Sequence, residues 1–168
     1  MIIQPVGVRF MKTKIYLALY KNKRSWRKEP VKACCDWLTR KLTKGIYSHC
    51  EIAVEKIVFT KGSHYEQESY FECYSSSVQD GGVRCKEINV ADGKWDLIPL
   101  EKVTENEIKG YFGRTKGMAY DWWGAVGIVL GIKQKRSKFF CSEWCFNALY
   151  QSENGWRFGP NDLAVMVR

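Results

Sequence analysis

Histidine is scarce in this chain of 168 residues: there are two, His49 and His64. Neither lies near the CxxxC formed by Cys141 and Cys145, and no CxxC occurs, so a structural zinc site is disfavoured and no metal or cofactor is called for. The most apolar stretch, "WWGAVGIVLGI" (122–132), falls far short of the roughly 20 residues that span a bilayer. It is expected to be a buried helix capped by Asp121, and a wall of a pocket if one is present. Low-complexity tracts and internal repeats are missing. The opening "MIIQPVGVRFMKTK" lacks the charged-then-apolar order of a secretory leader. The seven cysteines are odd in number and scattered, at 34, 35, 50, 73, 85, 141 and 145. Together these point away from a disulfide framework and toward reduced thiols in a soluble, cytoplasmic protein.

What is present is a core and an excess of cations. Hydrophobic residues make up 45% and aromatics 14%, enough for one globular domain over residues 1–168. The formal net charge of +9 favours anionic partners: an anionic substrate, an acidic membrane surface or nucleic acid. Two stretches concentrate the charge, "KNKRSWRK" (21–28) and "KQKRSK" (133–138). The first reads as a solvated loop. The second adjoins Cys141.

Periodicity gives the elements. "KIYLALY" (14–20) is a strand. "EPVKACCDWLTRKLTKG" (29–45) is a helix with Pro30 in its first turn, an apolar stripe of Val31, Cys34, Cys35, Leu38 and Leu42, and Gly45 as its stop. "SHCEIAVEKIVF" (48–59) alternates as a half-buried strand, with Cys50, Ile52 and Val54 inward and His49, Glu51, Ala53 and Glu55 on the polar side. "SYFECYSSS" (69–77), "VRCKEINV" (83–90) and "WDLIPL" (95–100) follow as strands around a "QDGG" turn. "TENE" has the form of a capping box between Thr104 and Glu107. Helices then run from about Cys141 to Tyr150 and onward from Pro160. This order predicts an α+β domain with an antiparallel sheet packed against helices.

Cys141 is the residue on which function turns. At a helix N-terminus a thiol sits beside unsatisfied N–H groups, which lower its pKa and can hold a developing oxyanion. Its spacing with Trp144, Cys145, Ala148 and Leu149 is also that of a core stripe, and taken alone the packing role is favoured. The scarcity of histidine shifts the weight, because a nucleophilic cysteine needs an imidazole and His49 stands on the polar side of a strand. His64, in the polar stretch "TKGSHYEQES", carries little functional weight.

"YSHCEIAV", "YFECYSSSVQDGGVRCKEI" and "KFFCSEWCFNAL", followed by "GPNDL", resemble the circularly permuted NlpC/P60 enzymes. That group is similar to the lecithin:retinol acyltransferases and to a poxvirus member. The resemblance runs from about residue 46 to 165, with residues 1–45 an N-terminal strand and helix. It implies a papain-like fold with its halves exchanged, so that the cysteine helix comes last. It implies Cys141 as nucleophile, His49 as general base and Glu72 as the residue that orients the imidazole. Glu51 is the rival orienter. It stands where the family usually has a small apolar residue. The activity implied is that of a cysteine hydrolase or acyltransferase on a peptide, isopeptide or lipid-like acyl substrate, through a thioester. The alternative is a non-catalytic basic module that binds nucleic acid or an anionic membrane, although no nucleic-acid motif is visible.

Overall fold

The structure, a computed structural model, describes residues 13–61, 65–122 and 137–168, and of residues 59–61 and 65–67 the backbone alone. All but Trp122 of the helix expected over 122–132, most of the 133–138 basic stretch and His64 lie outside the described residues.

Among the described residues seven strands form one sheet in the order β5-β1-β2-β3-β4-β6-β7. They are β1 (Ile15–Tyr20), β2 (His49–Lys61), β3 (Tyr65–Ser77), β4 (Gly82–Glu87), β5 (Trp95–Pro99), β6 (Ala119–Tyr120) and β7 (Lys138–Phe139). The described helices are α1 (Pro30–Thr43), α2 (Glu105–Thr115), α3 (Cys141–Tyr150) and α4 (Pro160–Met166), with a 3-10 turn at Gly155–Arg157. The α+β class therefore holds. The sheet itself is mixed: β5, β1, β2, β3, β4 and β6 pair antiparallel in turn, whereas β6 and β7 run parallel, Ala119 beside Lys138 and Tyr120 beside Phe139. Two-residue strands with little side-chain patterning give no sequence signal of direction. A parallel pair also needs a crossover, and residues 121–137 connect these two.

One face of the sheet carries the main core. Leu17, Leu19, Cys50, Ile52, Val54, Tyr74 and Val83 meet Ile108 of α2, Trp144, Cys145 and Ala148 of α3, and Leu163 of α4. The other face is not open to solvent as the alternation of β2 suggested. Ala18, Ala53, Cys73 and Val90 are buried there, covered by Tyr16, Phe71, Ile88, Trp95 and Leu97. The connection from β4 to β5 folds under the sheet, so the start of β2 is buried on both sides and Glu51, read as polar and outward, is 1% exposed.

Local signals explain the ends of the elements. The capping box at α2 is formed: the Thr104 N–H donates to Glu107 Oε2 at 2.8 Å and the Glu107 N–H to Thr104 Oγ1 at 3.3 Å. At the end of α1 it is Lys44, not Gly45, that adopts the left-handed conformation (φ 49°). Gly45 serves a different need. The space where its Cβ would stand is occupied by the Asn161 side chain. The stripe of α1 also departs from expectation: Val31 is 70% and Leu38 40% exposed, while Ala33 and Asp36 turn inward. Asp36 is held by an ion pair with Arg24 at 3.5 Å, and this polar tether, rather than the stripe, sets the face that α1 presents to the body of the protein.

Candidate active site

His49 is the first residue of β2 and pairs across the sheet with Tyr20. The segment leading into it is fixed by polar contacts. Arg40 donates through Nε to the Ile46 carbonyl (2.7 Å) and through Nη2 to Ser48 Oγ (3.1 Å). Asn161, at the start of α4, accepts from the Tyr47 N–H at 3.0 Å and donates to the Tyr47 carbonyl at 3.0 Å. Its amide also reaches Thr43 Oγ1 at 2.8 Å. Asn161 therefore acts as a strap between the C-terminal helix and the backbone that aims His49, and the lack of a side chain at Gly45 makes room for it. Trp95 stands edge-on to the imidazole, with ring centroids 6.3 Å apart.

Cys141 opens α3. The N-cap residue, Phe140, offers no side-chain acceptor to the first turn, and the Glu143 carboxyl turns back to accept from the Phe140 N–H. The first-turn amides beside Cys141 are thus without a side-chain cap, which is what an oxyanion would require. The helix start is held in place by Ser76 Oγ, which donates to the Phe139 carbonyl at 2.6 Å. Further along, Trp144 Nε1 donates to Thr115 Oγ1 at 2.9 Å.

Cys141 and His49 stand near one another, and each shifts the proton affinity of the other. His49 Nε2 lies 2.8 Å from Glu51 Oε1. Glu51 is in turn gripped by both arms of the Arg84 guanidinium, Nη1 to Oε2 and Nη2 to Oε1, each 2.5 Å. Arg84 itself is fixed by Asp80 Oδ2, which accepts from its Nε at 2.8 Å. The array is linear: Cys141, His49, Glu51, Arg84, Asp80.

Its electrostatics follow from burial and neighbours. Cys141 is 5% exposed. A hydrogen bond from the Cys50 thiol, followed by the charge and hydrogen bond of His49, outweighs the cost of burial and holds its pKa well below the ordinary 9.0. Burial alone would lower the pKa of His49, but the adjacent Cys141 sulfur and the Glu51 carboxylate raise it to about 10. Burial alone would likewise raise Glu51. Hydrogen bonds from Arg84 and then His49 hold it below 4.5 instead. All three shifts act in the same sense, favouring a thiolate beside an imidazolium and an ionised carboxylate.

Glu72, the acidic residue that the resemblance put third, is not brought to the imidazole. It pairs with Val54 farther along β2, and its carboxylate accepts from Tyr74 Oη at 2.9 Å and faces Lys56 at 3.7 Å. The register explains the difference. His49 sits at the very end of β2, and Glu51 shares its side of the strand one pleat away. Sequence reasoning missed Arg84, Asn161, Ser76 and the role of Cys50. For Arg84 a signal existed: it lies on β4 opposite Ser75, an alternating position on the strand next to the one beside Glu51.

Beside His49 lies a cavity of about 150 Å³, lined by Ser48, His49, Tyr120, Trp122 and Val31, Cys35, Leu38 and Leu42 of α1; Cys141 is not part of its lining. The residues expected to pack α1 into the core thus wall an entrance to the imidazole. A larger hollow of about 700 Å³ between the β5–α2 connection and the C-terminal residues, Leu100 and Met166 among its lining, includes neither the cysteine nor the histidine. Among the described residues no helix is long and apolar enough to cross a membrane, and no group of three or more His, Cys, Asp or Glu is arranged to hold a metal ion. Compared with known proteins, the chain matches no family model, no curated protein and no solved structure.

Proposed function

We propose that this protein is a cysteine hydrolase or acyltransferase that works through a thioester on Cys141. The observation that carries the reading is the Cys141–His49–Glu51 array, in which a thiol at a helix N-terminus stands near an imidazole whose Nε2 is held 2.8 Å from a buried carboxylate. Packing alone does not call for a carboxylate and a guanidinium to be buried behind a histidine, since an apolar replacement is commonly as stable as a buried ion pair.

In the proposed reaction the Cys141 thiolate attacks the carbonyl carbon of an amide or ester. A C–S bond forms, the carbonyl electron pair moves to oxygen, and the uncapped amides at the start of α3 receive the negative charge. As the intermediate collapses, the C–N or C–O bond breaks and His49 gives its proton to the leaving group. The neutral imidazole then takes a proton from water or another acceptor, which attacks the thioester and releases the thiolate. Glu51 holds the ring in register and stabilises the imidazolium, and Arg84 keeps Glu51 ionised.

This array and the order of elements, histidine strand first and cysteine helix later, support a permuted papain-like enzyme of the kind the sequence resembles. The cleft wall of Val31, Leu38 and Val78 suits an apolar acyl group, and Arg24 at the same cleft suits a substrate with an anionic portion. Peptide, isopeptide and lipid-like acyl compounds all fall within that description.

An activated ester such as p-nitrophenyl acetate tests the proposal. A burst of nitrophenol with the acetyl group mapped to Cys141, absent in Cys141→Ala and slowed in His49→Ala, is the expected outcome. Acetylation spread over lysines and exposed thiols, indifferent to both substitutions, would remove the enzyme reading. The basic loop, with Trp26 exposed at its tip, would then become the lead.

A further inference from the structure

Helix α1 differs from the other helices in how little of it is packed. Among the described residues it makes no extensive contact with another helix or strand. Polar ties hold it instead: Arg24 to Asp36 at 3.5 Å, Arg40 to the Ile46 carbonyl at 2.7 Å and Asn161 to Thr43 at 2.8 Å. Ala33 and Asp36 are on the buried side. Val31 and Leu38, seven residues apart and so on one side of the helix, lie opposite and are exposed. Trp37 is 53% exposed, and Trp26, in the turn that leads into the helix, 56%.

The positive charge of the molecule is concentrated in the same place. Residues 21–44 hold nine Lys and Arg against two acids, Glu29 and Asp36, and so carry +7 of the formal +9. Lys21, Arg24 and Lys32 are engaged by Asp96, Asp36 and Glu29. Lys23, Arg27, Lys28, Lys41 and Lys44 are exposed and, among the described residues, form no ion pair.

We propose that α1 and the turn before it dock on an anionic membrane surface, with Val31, Leu38 and the two tryptophans entering the interface and the free cations meeting acidic headgroups.

Both parts of the surface fit this occupant. An apolar stripe flanked by tryptophan is stabilised at the boundary between headgroups and acyl chains, and each Lys or Arg near a negatively charged leaflet adds attraction. A nucleic acid satisfies the cations but leaves Val31 and Leu38 in water. A second copy covers the apolar side only by bringing two patches of +7 together. Val31 and Leu38 also wall the cleft beside His49, so docking sets the mouth of that cleft on the lipid. The inference stands on this surface and not on acyl transfer.

The test is flotation of the full chain with vesicles of phosphatidylcholine alone and of phosphatidylcholine mixed with phosphatidylserine, at low and high salt. Wild type is compared with Val31→Ser/Leu38→Ser and with Arg27→Gln/Lys28→Gln/Lys41→Gln. All five side chains are exposed, so both variants should fold, and circular dichroism checks this. Wild type is expected to float with the mixed vesicles and not with phosphatidylcholine alone. The serine pair should weaken binding about tenfold. The glutamine triple should weaken it roughly fivefold for each cation removed and lessen its dependence on salt. Binding absent from both vesicle types, equal on both, or unchanged by the serine pair would overturn the proposal. So would a dimer in sedimentation that the serine pair dissolves, because the apolar side would then be covered by a second copy. None of these readouts involves the Cys141 thiol, so their failure leaves the reading of the active site standing, and failure of that reading leaves them intact.

Discussion

Burying a carboxylate at 1% exposure requires more than a neighbouring imidazole, and the Arg84 fork supplies it. A bidentate guanidinium–carboxylate pair satisfies both oxygens and fixes their plane, so that Oε1 meets His49 Nε2 in one orientation. Replacing Glu51 by Gln removes the charge that balances Arg84. Breaking a buried pair in this way costs about 3–5 kcal/mol, and the Asp80 contact to Arg84 argues for the lower end. Chemical denaturation of Glu51→Gln should show that loss, and turnover of the activated ester should fall roughly a hundredfold or more as the imidazole loses its partner. Glu72→Gln is the contrasting substitution. Its partially exposed contacts to Lys56 and Lys109 are worth at most about 1 kcal/mol, and turnover should stay within about twofold of wild type. A large fall with Glu72→Gln and none with Glu51→Gln would reverse the assignment. The candidate nucleophile and base could be proposed from the sequence because histidine is rare and a cysteine stands at a helix start. The third member was not. A strand pattern tells which side a residue faces, but not that the connection beneath the sheet buries that side, so Glu51 looked like one more solvated carboxylate.

The helix that begins at Cys141 carries a cost of its own. Glu143, in the first turn of α3, is buried, and burial above all, with a smaller push from nearby Asp121, raises its pKa from 4.5 to about 8 despite the Phe140 N–H it accepts. An unfolded chain gives up this proton near pH 4.5, whereas the native protein keeps it until about pH 8. The stability tied to the bound proton is therefore complete below 4.5 and is lost as pH rises through about 8. Glu143→Gln keeps the acceptor for Phe140 and removes the titration. Thermal melts across this window should show wild type losing stability, on the order of a few kcal/mol by the alkaline end, while the variant stays flat and overtakes it. Parallel curves for the two proteins would contradict this. At this scale the sequence was informative where local chemistry acts: the capping box of α2, the start of α3 at Cys141 and the opening of α4 at Pro160 all appear where the residues place them. It was uninformative where two elements negotiate. The stripe of α1 reads as core by period, yet the Arg24–Asp36 tether turns it toward a cleft. The parallel β6–β7 pair is too short for any pattern to carry direction.

For the molecule as a whole, the proposed catalysis depends on bringing residues 49 and 141 together from the two halves of the chain, and three of the ties around them are long-range in sequence. Asn161 straps the C-terminal helix to the backbone before His49, Ser76 anchors the residue two before Cys141, and Arg84 crosses to Glu51 from β4. No spacing in the sequence encodes such meetings, which is why Cys141 and His49 could be singled out one by one but their surroundings could not be assembled. The same dependence makes the reactivity of Cys141 a property of the folded state. The most direct measurement is the rate of iodoacetamide labelling against pH, mapped to individual cysteines, for wild type, His49→Ala and wild type unfolded in urea. The account predicts fast labelling of Cys141 with an acid limb well below pH 9.0, a limb displaced upward in His49→Ala, and ordinary thiol behaviour once the chain is unfolded. Labelling of Cys141 no faster than that of the exposed Cys34 and Cys85, or a profile unchanged by the loss of His49, would contradict it.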